Sequence, residues 1–464
     1  MTKYLNNKKI GNKKGSVLVF SMIMLSLILT SALAIGAAAV IERKNSLASN
    51  RSTQGFQVAD SAVELAAYQL KKISGTNTLT DLGGLLGATS CSVASGAATI
   101  SGNINGDAAK AYKLIFYDKT PALITSCSAL AYTATRVKAT GAYSNTSRAV
   151  DAPVCSDVWL GISPDGILDW NSIAVSDDGQ YLVAISRAGG NYINYVSSNG
   201  GNTFPSSGTF SVASGAWNNI PIAMSGDGTY QTIANGGDGR LYVSSNKGNS
   251  FSPVASLGEQ WSSADMSANG KYQTAVGNGW SAGSIYVSSN YGVSGSWNQK
   301  ESPRNWSSVA VSRGDGTYQT AVVTGGYIYV SSDHGSSWTQ KGLSKNWTSV
   351  AMSADGTYQT AVIGSWTSDN IYRSGDHGNS WQAVSSSPAT EWLSVAMSDD
   401  GKYQTAASIS YYGLLYKSSD YGVSWTQRNN IGGGQFSLSA SSSAAIQAAV
   451  IGGSGMQINT NSCR

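Results

Sequence analysis

The sequence predicts a mainly β protein in two unequal parts, led by one long α-helix, and three observations carry that reading. An uncharged run of 25 residues, Val17–Ile41, continues directly into an amphipathic stretch. From Trp170 onward the chain repeats itself every 41–47 residues. Within each copy, short runs alternate apolar and polar residues between Gly, Asp and Asn, the period-two pattern of strands. Composition agrees: only 12% of the 464 residues are Asp, Glu, Lys or Arg, while there are 53 Gly, 13 Trp and 24 Tyr. A disordered chain shows the opposite balance, many charges and few aromatics.

Charge and chemistry-bearing residues exclude several function classes. The net charge is +4, but Lys3, Lys8, Lys9, Lys13 and Lys14 stand before Gly15 with no acid among them, and the remainder is near −1. A basic nucleic-acid face is therefore not expected. Two histidines, His334 and His377, and five glutamates, at 42, 64, 259, 301 and 391, are a poor stock for zinc or triad chemistry. The four cysteines, Cys91, Cys127, Cys155 and Cys463, lack C-x-x-C spacing, so neither a metal site nor a cofactor is expected. In an exported chain they read as two disulfides, with three pairings formally open.

The N-terminal run is long enough, at roughly 37 Å, to cross a hydrocarbon core of about 30 Å. The lysines before it place the amino terminus in the cytoplasm and the remainder outside. The run exceeds an ordinary signal peptide. Beyond it, Val58, Ala59, Ala62, Leu65, Ala66, Gln69, Leu70 and Ile73 recur at three- and four-residue spacing, an amphipathic helix continuous with the apolar one. The expected segments are 1–15 as a leader, 16–73 as a transmembrane helix, 74–153 as a small α+β head and 154–464 as the repeat domain.

Lys13-Lys14-Gly15, then SVLVFSMIMLSLILTSALAIG, then a polar helix carrying FQVADSAVELA, resembles type IV prepilins, particularly the PilX-type minor pilins. The resemblance covers roughly residues 8–73. It implies cleavage by a prepilin peptidase after Gly15, leaving Ser16 as the mature terminus, and partnership with other pilins and pilus assembly proteins. Most major pilins carry Glu at the position of Phe20, where it pairs with a neighbour's terminal amine. Its absence fits a tip or sparse minor position, because a buried unpaired charge would be costly there.

Residues 74–153 are rich in Ser, Gly and Ala, with strands expected at Tyr112–Tyr117 and Tyr132–Thr140. A turn over Gly141–Thr146 then leads into Arg148–Val154. Such a small core needs a staple, and Cys91–Cys127 is the first-choice local pairing.

Six repeat copies start at Trp170, Trp217, Trp261, Trp306, Trp347 and Trp392, each near W-x-S-V-A-M-S, then A-D-G-T-Y-Q-T-A-V, then I-Y-V-S-S-D-x-G-x-S-W. In the fourth copy the strands fall at Ser307–Ser312, Tyr318–Val323, Tyr327–Ser331 and Ser337–Lys341. Four-stranded units at this period predict the blades of a β-propeller. A degenerate copy from Phe436 lacks a fourth strand, and DVWLG at 157–161 lacks the three before it. The two fragments together predict seven blades, the last closed by an N-terminal strand, with a Cys155–Cys463 disulfide at the seam.

The motif Ser331-Ser-Asp333-His-Gly335-Ser-Ser337-Trp338 recurs around Asp376, Gly378 and Trp381 and around Asp420, Gly422 and Trp425, with relaxed versions at Asn199, Asn246 and Asn290. It resembles the Asp-box, or BNR repeat, of sialidase-like and sortilin-like propellers, where it shapes a turn. The resemblance also suggests a membrane-tethered sialidase-like glycosidase as an alternative function, and a propeller-type assembly factor as another. Sialidases grip a carboxylate with three arginines, yet the family's Arg-Ile-Pro signature is absent here and the box aspartates are committed to turns. No catalytic residue is assigned. Function is sought instead where the copies differ. The loops between second and third strands carry Tyr192, Trp280, Trp366, Tyr411 and Tyr412, aromatics able to stack on a glycan or anchor a surface protein. The expected role is a pilin-like cell-surface protein whose non-catalytic propeller serves adhesion, ligand binding or filament initiation.

Overall fold

The structure is a computed structural model that describes residues 43, 46, 49–70, 77–88, 90–118, 122–129, 131, 134, 136–143, 146–153, 160–162, 169–188, 191–211, 220–254, 256–278, 282–364, 367–409, 413–430, 436–444, 446–451 and 455–459. The apolar run, Gly15, Ser16, Cys155 and Cys463 lie outside them. Among the described residues no helix is long and apolar enough to cross a membrane. The chain divides into two compact units, residues 1–69 with 77–154, and residues 70–76 with 155–464.

In the first unit, helix α1 (residues 49–70) lies on a five-stranded antiparallel meander: Ser90–Ala94, Ala97–Asn103, Lys110–Tyr117, Arg136–Tyr143 and Thr146–Pro153. Gly55, Val58, Ala59, Ala62, Val63 and Ala66 are its buried stripe, and small residues let the helix backbone come close. The contact is tightest at Gly141, where an added Cβ would lie 2.3 Å from the Ala59 amide nitrogen and 2.5 Å from the Gly55 carbonyl. This explains a departure from the sequence reading. Gly141 is interior to its strand, not the start of a turn, because it gives the helix room.

A second departure is the hairpin joining Ser90–Ala94 to Ala97–Asn103. Ser95 and Gly96 both take positive φ, 53° and 74°, as a two-residue turn of the primed type requires. The helix Leu79–Leu85 (α2) begins with a capping box between Thr78 and Asp81. Cys91 and Cys127 are joined by a disulfide, with their Cα atoms 5.8 Å apart. It ties an edge strand to a segment that also accepts the Leu79 and Thr80 amides, at Ala129 and Cys127.

The second unit is a seven-bladed β-propeller. Blade 1 comprises Asp169–Val175, Leu182–Ala188, Asn191–Ser197 and Ser206–Ser211; blade 2 comprises Ile222–Met224, Gln231–Asn235, Arg240–Ser244 and Ser252–Pro253. Blade 3 comprises Trp261–Met266, Gln273–Gly277, Gly283–Ser288 and Trp297–Arg304. Blades 4 and 5 share the long strand Thr339–Met352. It follows Trp306–Val311 and Gln319–Ser331, and precedes Gln359–Ile363, Tyr372–Ser374 and Gln382–Ala383. The four strands expected in the fourth copy therefore merge: the bend at Thr324 and Gly326 itself pairs with Asn346 and Lys345. Blade 6 comprises Trp392–Met397, Gln404–Ser408, Leu414–Ser418 and Thr426–Asn430.

Blade 7 takes Phe436–Ala440, Gln447–Ile451 and Gly455–Asn459, and its outer strand is Leu160–Ile162 from before blade 1, with Ile162 opposite Met456 and Leu160 opposite Ile458. A second closure runs through the turns after the innermost strands. Backbone amides of Asp177, Gly226, Ala268, Gly314, Ala354, Asp399 and Ser442 donate in turn to carbonyls of Gly226, Ala268, Arg313, Ala354, Asp399, Ser442 and Asp177, at 2.7–3.1 Å. The seven links form a complete circle.

Candidate ligand-binding channel

Most of the repeated polar and aromatic residues join each blade to its neighbour. In four of the five Tyr-Gln-Thr copies the Thr donates to the next blade's Gln: Thr232 to Gln273 (2.6 Å), Thr274 to Gln319 (2.7 Å), Thr320 to Gln359 (2.7 Å) and Thr360 to Gln404 (2.6 Å). Each of these glutamines donates in turn to the glycine carbonyl of its own first turn, as Gln359 does to Gly356 at 3.0 Å. These groups are buried, so each bond satisfies atoms that water cannot reach.

The tyrosines act alongside. Tyr230, Tyr272, Tyr318 and Tyr358 stack on Tyr291, His334, His377 and Tyr421 of the next blade, with ring centroids 4.0–4.7 Å apart. Lys247 sits 3.9 Å from the centre of the Tyr181 ring. His334 and His377 therefore pack between blades rather than stand free in solvent. They occupy the left-handed position of the turn, each at φ 59°, and cover a neighbour's ring.

The Ser-x-Asp-x-Gly-x-Ser-Trp turns are self-contained. Asp333 accepts from the Ser331 hydroxyl and from the Ser337 amide and hydroxyl, while the Trp338 indole donates to the Gly335 carbonyl at 3.1 Å. The turns of Asp376, Gly378 and Trp381 and of Asp420, Gly422 and Trp425 repeat this set. Burial pushes these carboxyls up, but the hydrogen bonds from the serines outweigh it and hold all three below the ordinary aspartate range. They are fixed anions in turns.

The inner strands of all seven blades enclose a channel of about 700 Å³. Ser and Ala recur along its wall, and in five of the blades a serine of the inner strand reaches sideways to the next blade. The Oγ atoms of Ser172, Ser263, Ser308, Ser349 and Ser394 accept the amides of Ile222, Val309, Val350, Val395 and Leu438. One end is crossed by Arg313, carried on the first turn of blade 4. Its guanidinium bonds the Asp177 carboxylate, lies 3.8 Å from Asp399, and reaches the Met224 carbonyl at 3.4 Å. Burial pushes Asp399 up; Arg313 opposes that and Asp177 adds to it.

On the wall nearby stands Asp265. Its two oxygens accept the amides of Met266 (2.8 Å) and Val311 (2.7 Å). Burial raises its carboxyl to about 6, against the pull of the Val311 amide and Arg313. The opposite mouth is bordered by neutral polar residues, among them Asn171, Gln260, Asn278, Thr324 and Thr348.

The loop aromatics fare differently. Tyr192 is buried, 1% exposed, within the cluster that packs blade 1 against Ile220 and Ile222 of blade 2. The period-two pattern of Asn191–Ser197 accounts for this, since Tyr192, Asn194 and Val196 share a face. Trp280, Trp366, Tyr411 and Tyr412 lie outside the described residues. Of Arg187, Arg240, Arg304, Arg313, Arg373 and Arg428, Arg313 alone lines the channel among the described residues. Glu301 pairs with Arg304 at 3.5 Å. Among the described residues no group of His, Cys, Asp and Glu side chains is placed to hold a metal.

Sequence reasoning missed Asp265 and Arg313, although both are visible once the copies are aligned. Asp265 takes the place of Ala in the I-A-M and V-A-M strands, and Arg313 is an insertion in Ser312-Arg313-Gly314-Asp315-Gly316.

No family model matches the chain, and no curated protein matches it. Among solved structures it is similar to U3-55K, with 11% identity over 65% of this chain and 97% of that one and a TM-score of 0.50. The β-propeller domain of Myceliophteria thermophila Cps50 (Swd1) aligns with 12% identity over 64% of this chain and 97% of that one, also at 0.50. YCF48 from Cyanidioschyzon merolae aligns at 16% identity over 65% and 97%, with a TM-score of 0.48. At such identities the likeness speaks for the fold alone.

Proposed function

We propose that this chain is a pilin-like cell-surface protein that embeds through its N-terminal segment and presents a non-catalytic propeller as a binding head. The single observation that carries the reading is the join of Lys-Lys-Gly-Ser, a 25-residue uncharged run and a helix that settles on an antiparallel sheet at Gly55 and Gly141. This build supports the reading of a filament subunit with a small head. Support for a non-enzymatic propeller comes from its repeated Asp, Tyr, Gln, Thr and Trp side chains, which are consumed in turns and blade contacts. The large second unit fits a tip or sparse minor position, where it would not obstruct continuous packing.

Amino-terminal mass spectrometry of protein from the native surface tests the reading. A terminus at Ser16, with or without methylation, is expected; an intact Met1, or a cut near residue 40, would overturn it. Turnover of a fluorogenic sialoside, abolished by arginine substitutions, would overturn the non-enzymatic half.

A further inference from the structure

Seven residues occupy one equivalent position on the inner strands, each opposite the residue after the Gln position of its second strand. They are Ala174, Ala223, Asp265, Ala310, Ala351, Ala396 and Ser439, facing Val183, Thr232, Thr274, Thr320, Thr360, Thr405 and Ala448. Five blades manage with Ala, so the scaffold does not need a carboxylate here. Blade 3 nevertheless holds one on the channel wall, where desolvation makes a charge costly.

The surroundings decide what such a group can receive. Asp265 has no ion pair within 4 Å among the described residues; its partners are two backbone amides, which leave lone pairs on both oxygens. Arg313, the cation of the channel, is already bridged by Asp177 and Asp399. Asp265 and Arg313 are the charged residues of the cavity lining among the described residues, and Asp177 and Asp399 already balance the guanidinium, which leaves the Asp265 carboxylate as the uncompensated charge. An anion would meet an arginine already spoken for. A divalent cation is best held by several converging carboxylates, and no group of three or more His, Cys, Asp or Glu side chains is placed to hold one among the described residues. What remains is an organic ammonium group, singly charged at the end that enters, on a chain narrow enough to pass between seven strands. The side chain of Arg313 spans one end, so access is from the mouth bordered by Asn171, Gln260 and Thr348.

We infer that the propeller channel is a binding site for a primary ammonium group on a flexible chain, a lysine side chain or a polyamine end, held by Asp265. Ser263 and Ser308, beside it on the wall, offer hydroxyl oxygens to the remaining ammonium protons. The inference rests on the reading of the propeller as a binding head, and names its ligand class.

The test is ligand-observed NMR titration of the full chain in detergent at neutral pH. The probes are cadaverine and the peptide acetyl-Gly-Lys-Gly-amide, with 1-pentanol and acetyl-Gly-Gln-Gly-amide as neutral counterparts. At least one amine is expected to bind saturably while its neutral counterpart does not, with affinity at least tenfold weaker in Asp265→Ala and unchanged in Arg428→Ala. Binding of cadaverine alone assigns a free polyamine, and binding of the peptide assigns a partner's lysine. Equal signals from amine and neutral probes, affinity unaltered in Asp265→Ala, or preferential binding of glutarate would each overturn the proposal. Asp265→Ala places the residue of five other blades at this position, so misfolding is not a competing explanation. Failure here leaves a processed terminus at Ser16 untouched, and an unprocessed terminus leaves amine binding untouched, so the two readings fail separately.

Discussion

Blades 2 to 6 and the seam around blade 7 solve the same packing problem by different means. Between blades 2 and 6, every interface carries a buried Thr–Gln hydrogen bond beneath a stacked tyrosine. At the next interface both partners are present, but among the described residues Thr405 Oγ1 and Gln447 Oε1 are buried without a hydrogen-bond partner. Blade 1 has Leu182 and Val183 where blades 2 to 6 have Gln and Thr, and Gln231 Oε1 of blade 2 is left without a donor among the described residues. The seam relies instead on apolar contact, joining Trp170, Ile173, Leu182 and Tyr195 to Val450, Met456 and Ile458, and on the strand Leu160–Ile162. Directional bonds fix the register of neighbouring repeats; apolar burial, which is not directional, closes a ring whose ends come from distant parts of the chain.

The largest effect that separates these regions is loss of a latch glutamine. Gln319→Leu leaves the Thr274 hydroxyl buried and unbonded and is expected to cost about 2–4 kcal/mol in denaturant unfolding. Gln447→Leu, which removes an already unpartnered oxygen, should change stability by less than about 1 kcal/mol in the same assay. Equal losses would erase the distinction.

Next in size is Gly378→Ala. This glycine has φ +79°, and an added Cβ would lie 2.7 Å from Val330 Cγ1 of the preceding blade and 2.9 Å from Gln359 Oε1. The expected cost is about 2 kcal/mol, from strained backbone and overpacking together.

Asp265→Ala should act in the other direction. The carboxyl titrates at about 6 in the folded chain, against about 3.9 when unfolded. The folded state thus binds more protons between those values, so stability is greatest at low pH and is lost as pH rises through about 6. The variant is expected to gain about 1–2 kcal/mol near neutral pH, a gain that vanishes by about pH 4. A constant difference across that range would contradict the burial argument.

The smallest effect belongs to His377→Tyr. Tyrosine already fills the same turn position at Tyr291 and Tyr421, so stability should hold within about 0.5 kcal/mol while Tyr318→Ala loses more.

The blade period, the aspartate turns and the closing strand were legible because each is written within a single copy or at its truncated ends. The closing strand itself falls at Leu160–Ile162, slightly beyond the 157–161 expected. The latches were not legible. A Thr and the Gln it bonds lie 39–45 residues apart, and reading one repeat at a time assigns both to generic core. Tyr192 was misplaced because Gly189, Gly190 and Asn191 suggested a longer loop, whereas the third strand begins at Asn191. In the head, the hairpin at Ser95 and Gly96 is not legible, because SCSVA and AATIS offer little contrast between faces. Asp265 is hidden by the regularity of the repeat, because five of the seven inner strands carry Ala at that position.

A double-mutant cycle on Thr320 and Gln359 tests most directly whether the repeated residues serve blade-to-blade cohesion. Thr320→Val and Gln359→Leu should each destabilise the propeller, while the double variant loses less than the sum, with a coupling of about 1 kcal/mol or more. Costs that add within about 0.3 kcal/mol would mean the two side chains do not act together, and the latch would be an incidental contact.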